Sequence, residues 1–204
     1  VDELTEAGSK EKILKAARTE FAQYGLDGAR VDRIADEAGL NKAMIYYHFT
    51  SKENLYNEVI RSYFQRAAAL MRQRGERTET IEQHLEAIAD AHIDISASMP
   101  EFKSILLREL ANPRDEVLDM IASALIASEM PAQIKERFES GVRNGRLRPV
   151  NGWQTMTTFI AASIGFLIMF PIFARVGQVA DDERFIQERK KTMIDIFMNG
   201  LKAR

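Results

Sequence analysis

The chain has 204 residues, 46% of them hydrophobic and 28% charged, with a formal net charge of -2. That composition supports a sizeable core, and the near-neutral balance excludes a protein that coats nucleic acid over its whole surface, so any such binding must be local. With no cysteine and three histidines, disulfides, thiol nucleophiles, thiol redox sensing and cysteine zinc ligands are excluded, which fits a cytoplasmic location.

Apolar residues recur at spacings of three and four without alternating runs, which predicts an all-α fold. Residues 1–8, VDELTEAG, are acidic and lack an apolar centre; they read as a disordered tail, not a signal peptide. A first helix is predicted over SKEKILKAARTEFAQYG, capped by Ser9, with Leu14, Ala17 and Phe21 on one face and Gly25 as terminator. Two short helices follow, VDRIADEA and KAMIYYHF, separated by Gly39-Leu40-Asn41. A long helix then runs from about Ser51 to Arg74 and is closed by Gly75. The domain boundary is placed inside that helix, dividing a unit at 9–52 from a helical remainder at 53–204.

Beyond Gly75, Thr80 with Gln83 forms a capping-box pattern ahead of the stripe Ile81, Leu85, Ile88, His92, Ile95 and Met99. Ser98 with Glu101 repeats the pattern ahead of Phe102, Ile105, Leu106 and Leu110. Asn112-Pro113 and Ser128 to Pro131 mark further helix starts, and Arg148-Pro149 ends the series. Two last helices are predicted at roughly 152–174 and 182–202. No charged residue lies between Arg148 and Arg175. Asn151, Gln154, Thr155, Thr157 and Thr158 nevertheless shorten the apolar run below the roughly 20 residues of a membrane span, so the segment reads as a buried helix.

The short helix pair carries the strongest chemical signal. A helix-turn-helix needs a small residue where the helices cross, a residue tolerating positive φ at the turn, and an apolar anchor on the second helix. Ala35, Gly39 and Ile45 fall at the fifth, ninth and fifteenth places counted from Val31. Ile45 is expected to pack on Ile34 and Ala38. Asn41 can cap the second helix and leave the positive end of its dipole directed at a phosphate. Residues 9–52 carry eight Lys or Arg and six Asp or Glu, an excess of the right sign but small.

The stretches AARTEFAQYG and VDRIADEAGLNKAMIYYHFTSKENL resemble the N-terminal domain of the TetR (tetracycline repressor) family. The resemblance runs from residue 10 to about 60 through Ala17, Phe21, Gly25, Ile34, Ala35, Ala38, Gly39, Tyr46, His48, Phe49, Lys52 and Leu55. It implies a three-helix DNA-binding domain followed by a helical domain that dimerises and holds a small ligand. In that frame Lys42, Ala43, Met44, Tyr46, Tyr47 and His48 face the major groove or its phosphates, while Ile45 and Phe49 face inward. Lys52 holds the DNA backbone at the start of the fourth helix. Arg30 and Arg33 stand ahead of and within the preceding helix; the family often has threonine at the former position, so Arg30 is expected to reach a phosphate or the minor-groove edge.

One such unit reads only a few base pairs, so a symmetric homodimer on a palindromic operator is expected. The helix at 152–174 is apolar nearly all round, and a partner subunit is its simplest cover. Together with the last helix it offers Ala161, Ala162, Gly165, Phe166, Phe170, Ile194, Phe197 and Leu201 as the interface. By resemblance, an apolar or aromatic effector is expected among His92, Met99, Phe102, Leu106, Met120, Trp153, Met156, Phe159 and Met169. Each of these also suits plain core. The composite expectation is a repressor released from its operator by that effector. Two alternatives stand beside it: a ligand-independent regulator controlled by a protein partner, and a helical enzyme. Against the enzyme, the residues three before the histidines are Ile45, Ile81 and Ala89, and HExxH, phosphate-loop and nucleophile-elbow motifs are missing. No metal and no cofactor is implied.

Overall fold

The computed structural model describes residues 3–178 and 183–203. Those residues form ten helices: α1 (Glu3–Gly28), α2 (Val31–Ala38), α3 (Lys42–Phe49), α4 (Lys52–Gly75), α5 (Ile81–Ser98), α6 (Pro100–Ala111), α7 (Asp115–Ala127), α8 (Met130–Arg143), α9 (Gly152–Gly177) and α10 (Glu183–Leu201). Among them the only β pairing is one isolated bridge between Leu147 and Lys202. The chain divides into two compact units, one of residues 1–66 with 99–124 and the other of residues 67–98 with 125–204.

Several helix ends differ from the sequence expectation. Residues 3–8, expected as tail, open α1, and Val1 and Asp2 lie outside the described residues. Acidic residues at the start of a chain suit the positive end of a helix dipole as well as a solvated tail. Ser9 therefore lies within α1. Gly25 interrupts that helix with φ +68°, and a further turn runs on to Gly28. Ser98 does not cap α6; its hydroxyl donates to the Asp94 carbonyl at 2.6 Å, and α6 starts with Pro100 after Met99. Proline fits that first turn because the N–H it lacks has no helical partner there. The capping box at α5 does form, with the Gln83 N–H donating to Thr80 Oγ1 and the Thr80 N–H to Gln83 Oε1, both at 3.2 Å. The last helix starts at Glu183; Asp182 lies outside the described residues.

In the first unit, α1, α2, α3, α6 and the start of α4 enclose Phe21, Ile34, Ile45, Leu55, Val59 and Ile60, all fully buried. Phe21 meets Tyr56 edge to face at 4.8 Å. The Tyr56 hydroxyl donates to Glu109 Oε1 at 2.7 Å, and Arg114 closes on both carboxylate oxygens at 3.1 and 3.2 Å while lying over the Tyr56 ring. Glu109 is thus a buried charge that is paired and hydrogen-bonded, as a buried charge must be. Arg108 adds a bond to the Gln23 carbonyl at 3.0 Å, joining α6 to α1.

In the second unit, Leu85, Ile88, Ile134, Phe138, Met156, Phe159, Ile194 and Met198 make the core between α5, α8, α9 and α10. Arg137 of α8 donates to the Gly75 and Thr78 carbonyls and to the Thr78 hydroxyl at 2.8 to 3.0 Å, so the end of α4 finds its acceptors' partners on α8. A Cβ at Gly75 would stand 2.6 Å from Gln133 Oε1 and 3.0 Å from His84 Cε1, so the Gln133 side chain would have to shift to admit it.

The expectation of a buried helix at 152–174 is corrected. α9 is long and apolar enough to cross a membrane, and little of its most apolar stretch is buried. Met156, Phe159, Ser163 and Phe170 face the chain's own core, while Met169, Ile172, Phe173 and Val176 are exposed. A helix apolar all round exceeds what one neighbouring layer covers, so the chain's own helices bury one side only.

His84 and His92 are buried, and burial pushes both imidazoles down to about 4, the Arg137 cation adding to the effect at His84. The native chain therefore resists taking up protons that the unfolded chain binds near pH 6.5. Stability is expected to be complete above that pH and to fall as pH drops from about 6.5 towards 4. Denaturant midpoints across this range test it: His84→Gln with His92→Gln should flatten the fall, and an unchanged profile would refute the assignment.

Candidate nucleic-acid interface

The turn between α2 and α3 is built from backbone geometry. Gly39 takes φ +65°, its N–H donates to the Asp36 carbonyl at 3.1 Å, and the Leu40 N–H reaches back to the Ala35 carbonyl at 3.0 Å. This paired closure needs a left-handed residue and satisfies the last carbonyls of α2. Asn41 is extended, and its Oδ1 accepts from the Met44 N–H at 3.0 Å. The cap fixes where α3 begins.

Helical spacing then sorts the eight residues of α3. Ile45 is fully buried and Phe49 nearly so. Lys42, Ala43, Tyr46 and Tyr47 are exposed, Tyr47 at 69%, while Met44 and His48 are half-buried. The Tyr47 and His48 rings meet edge to face at 5.2 Å. Ile45 and Phe49 face inward and Lys42, Ala43, Tyr46 and Tyr47 outward as expected, whereas Met44 and His48, expected outward, are half-buried, with His48 Nε2 enclosed.

The cations around α3 are engaged to different degrees. Lys42 pairs with Asp32 at 2.7 Å across the turn, and this hydrogen-bonded carboxylate raises its pKa. Arg33 donates to Glu20 Oε1 and to the Gly28 carbonyl at 2.8 and 3.1 Å and lies 4.1 Å from the Tyr24 ring centroid. Glu20 also accepts from the Arg30 N–H at 2.8 Å, while the Arg30 residue is exposed. Lys52 spans to the Asp27 and Ala29 carbonyls at 3.4 and 3.2 Å, bracing the entry to α2. Arg33 and Lys52 thus hold the unit together. Sequence reasoning missed Glu20 and Asp32, because neither shares a helix with its partner. It also missed Lys10, whose ammonium lies 5.8 Å from the Phe49 ring centroid.

The other expected site residues scatter more. Of the proposed interface set, Phe170, Ile194 and Leu201 are buried within the chain, Ala161 is exposed, and Ala162, Gly165, Phe166 and Phe197 are half-buried. The apolar residues that actually reach the surface beside them include Met169, Ile172, Phe173, Val176 and Ile196. Among the effector candidates, Met99, Phe102, Leu106 and Met120 belong to the first unit, where Phe102 stacks on Tyr63 at 5.2 Å. His92, Trp153, Met156, Phe159 and Met169 belong to the second. Met156 and Phe159 are core, Met169 is on the surface, and Trp153 is 62% exposed beside a groove along α8. His92 lines a pocket between α5, α9 and α10.

A capped, outward-facing helix following a glycine turn defines a helix-turn-helix reader. Residues 13–59 match the family described as bacterial regulatory proteins, tetR family. The chain is 24% identical over 202 residues to the HTH-type transcriptional regulator RutR of Escherichia coli K12, covering 97% of this chain and 92% of RutR. Its fold is similar to that of a TetR family transcription regulator from Marinobacter aquaeolei VT8, with TM-score 0.74, 16% identity and full coverage of both chains. It is also similar to the transcriptional regulator FadR of Bacillus subtilis, solved in complex with stearoyl-CoA, with TM-score 0.73, 15% identity, and 93% and 98% coverage. Residues 13–59 therefore carry the helix-turn-helix domain of that family, and the chain as a whole is similar to its regulators.

Gly39→Ala forces a Cβ into the left-handed region and is expected to cost about 1–2 kcal/mol. Chemical denaturation measures this directly, and an unchanged midpoint would contradict the turn geometry.

Proposed function

We propose that the chain is a non-enzymatic, cytoplasmic transcriptional repressor that binds a palindromic operator as a homodimer and leaves it when a small effector binds. The observation that carries the reading is α3 itself, with Ile45 and Phe49 buried and Lys42, Ala43, Tyr46 and Tyr47 presented to solvent. Lys42 suits guanine acceptors or phosphate, Ala43 and Met44 suit a thymine methyl, and Tyr46, Tyr47 and His48 supply donors to phosphates. Arg30, Arg33 and Lys52 stand at the flanks. Arg33 and Lys52 would have to keep or trade their present internal bonds on binding.

Support for the dimer comes from α9 and α10. Ala161 and Gly165, with Met169, Ile172, Phe173, Val176 and Ile196, leave an accessible apolar surface that a second copy of the same helices would bury. Two readers held in this way, about 34 Å apart, would meet successive turns of one DNA face. Support for an effector is the relation to regulators such as FadR, whose solved structure holds stearoyl-CoA. A second reading, control by a protein partner, draws on exposed Leu107, Leu110 and Leu118 in α6 and α7.

Two substitutions separate reading from assembly. Tyr47→Ala is expected to weaken operator binding by roughly tenfold, the worth of one hydrogen bond to a charged group, with unchanged mass in sedimentation. Gly165→Arg introduces a charge where the backbone now meets open space. It should yield folded monomers at concentrations where the parent is dimeric, and an unchanged mass would reject this interface.

A further inference from the structure

The pocket between α5, α9 and α10 combines features that a packed core does not explain. His92 is 5% exposed, yet neither ring nitrogen has a hydrogen-bond partner among the described residues. A neutral imidazole carries one donor and one acceptor, and leaving both unpaired in a buried position is costly. Burial also holds the ring in its neutral form, so its donor is an uncharged N–H.

Arg189 lines the same pocket, with its guanidinium carbon 4.8 Å from the Phe166 ring centroid and no carboxylate paired to it among the described residues. The neighbouring cation, Lys190, is already neutralised by Asp90 at 2.7 Å. The uncompensated charge at the pocket is therefore that of Arg189. Ser163 gives its hydroxyl only to the Met193 sulfur at 3.5 Å, a weak acceptor that a better one would displace. The remaining walls are apolar, formed by Phe166, Leu167 and Met193 among others. Pro171 lies inside α9 and has no N–H for the Leu167 carbonyl, which loosens the helix at the pocket wall.

The pocket admits water-sized groups over about 30 Å³ and is partly open to solvent. That space matches about two water-sized positions, the size of a carboxylate head. A short apolar tail would leave by the opening, along the apolar wall residues. We infer that this pocket binds a short-chain monocarboxylate, its oxygens held by Arg189 and the His92 N–H and its tail lying on Phe166 and Leu167. For its regulatory consequence alone, the inference rests on the effector reading above.

Calorimetric titration of the full-length protein with hexanoate, and with hexanamide as its uncharged counterpart, tests the site without DNA. Expected are one saturable hexanoate site per chain and binding of the amide at least tenfold weaker. Arg189→Gln should weaken hexanoate roughly tenfold or more, as loss of a charge-assisted bond does, and leave the amide unchanged. In histidine-ring NMR, the His92 signals should shift with hexanoate while those of His84 stay in place. Absence of saturable heat up to about 10 mM, equal binding of acid and amide, insensitivity to Arg189→Gln, or stationary His92 signals would each overturn the inference. Operator release is measured separately: hexanoate binding without release keeps the site and removes the effector role, while release by other compounds without hexanoate binding does the reverse.

Discussion

An eight-residue helix is too short to persist alone in water, so α3 exists only because Ile45 and Phe49 are buried. That one apolar anchor decides the rest of the first unit. Burying positions 45 and 49 turns Lys42, Ala43, Tyr46 and Tyr47 outward, and the Gly39 turn and Asn41 cap fix where the helix begins. The polar bonds around it act as bracing. Arg33, Glu20 and Lys52 tie the ends of α1, α2 and α4 by their side chains, and on the outer face of α3 Lys42 is paired to α2 through Asp32.

The second unit is governed by the complementary problem, too much apolar surface. Its core takes Met156, Phe159, Ile194 and Met198 from the inner sides of α9 and α10. What remains outside, from Met169 to Val176 and at Ile196, is more contiguous apolar surface than scattered exposed residues explain. The proposed second copy would serve both stability and recognition, since a dimer would double the number of base pairs read.

Many of the helix ends were legible in the sequence because their determinants are local. The spacing of Ala35, Gly39 and Ile45, the Asn41 cap and the Thr80–Gln83 box each lie within a few residues along the chain, and the structure reproduces them. Where two explanations share one local pattern, the sequence misled. An acidic start suited tail and helix alike, and Ser98 with Glu101 mimicked a cap that Pro100 makes unnecessary. Long-range choices were not legible. The partition of Phe170, Ile194 and Leu201 to the inside, with Ile172, Phe173 and Val176 outside, depends on how α9 is rotated against α5 and α10. The pairings of Arg33 with Glu20, Glu109 with Arg114, and Asp90 with Lys190 likewise depend on the three-dimensional packing or on rotamers that composition does not set.

The central claim is that two copies of α3, held by one dimer, read DNA together. Selection of bound sequences from a random double-stranded pool tests it most directly. The account predicts an inverted repeat whose half-site centres lie about one helical turn, roughly 34 Å, or a whole multiple of it apart. Enrichment of a single unrepeated motif, or of no motif at all, would contradict it.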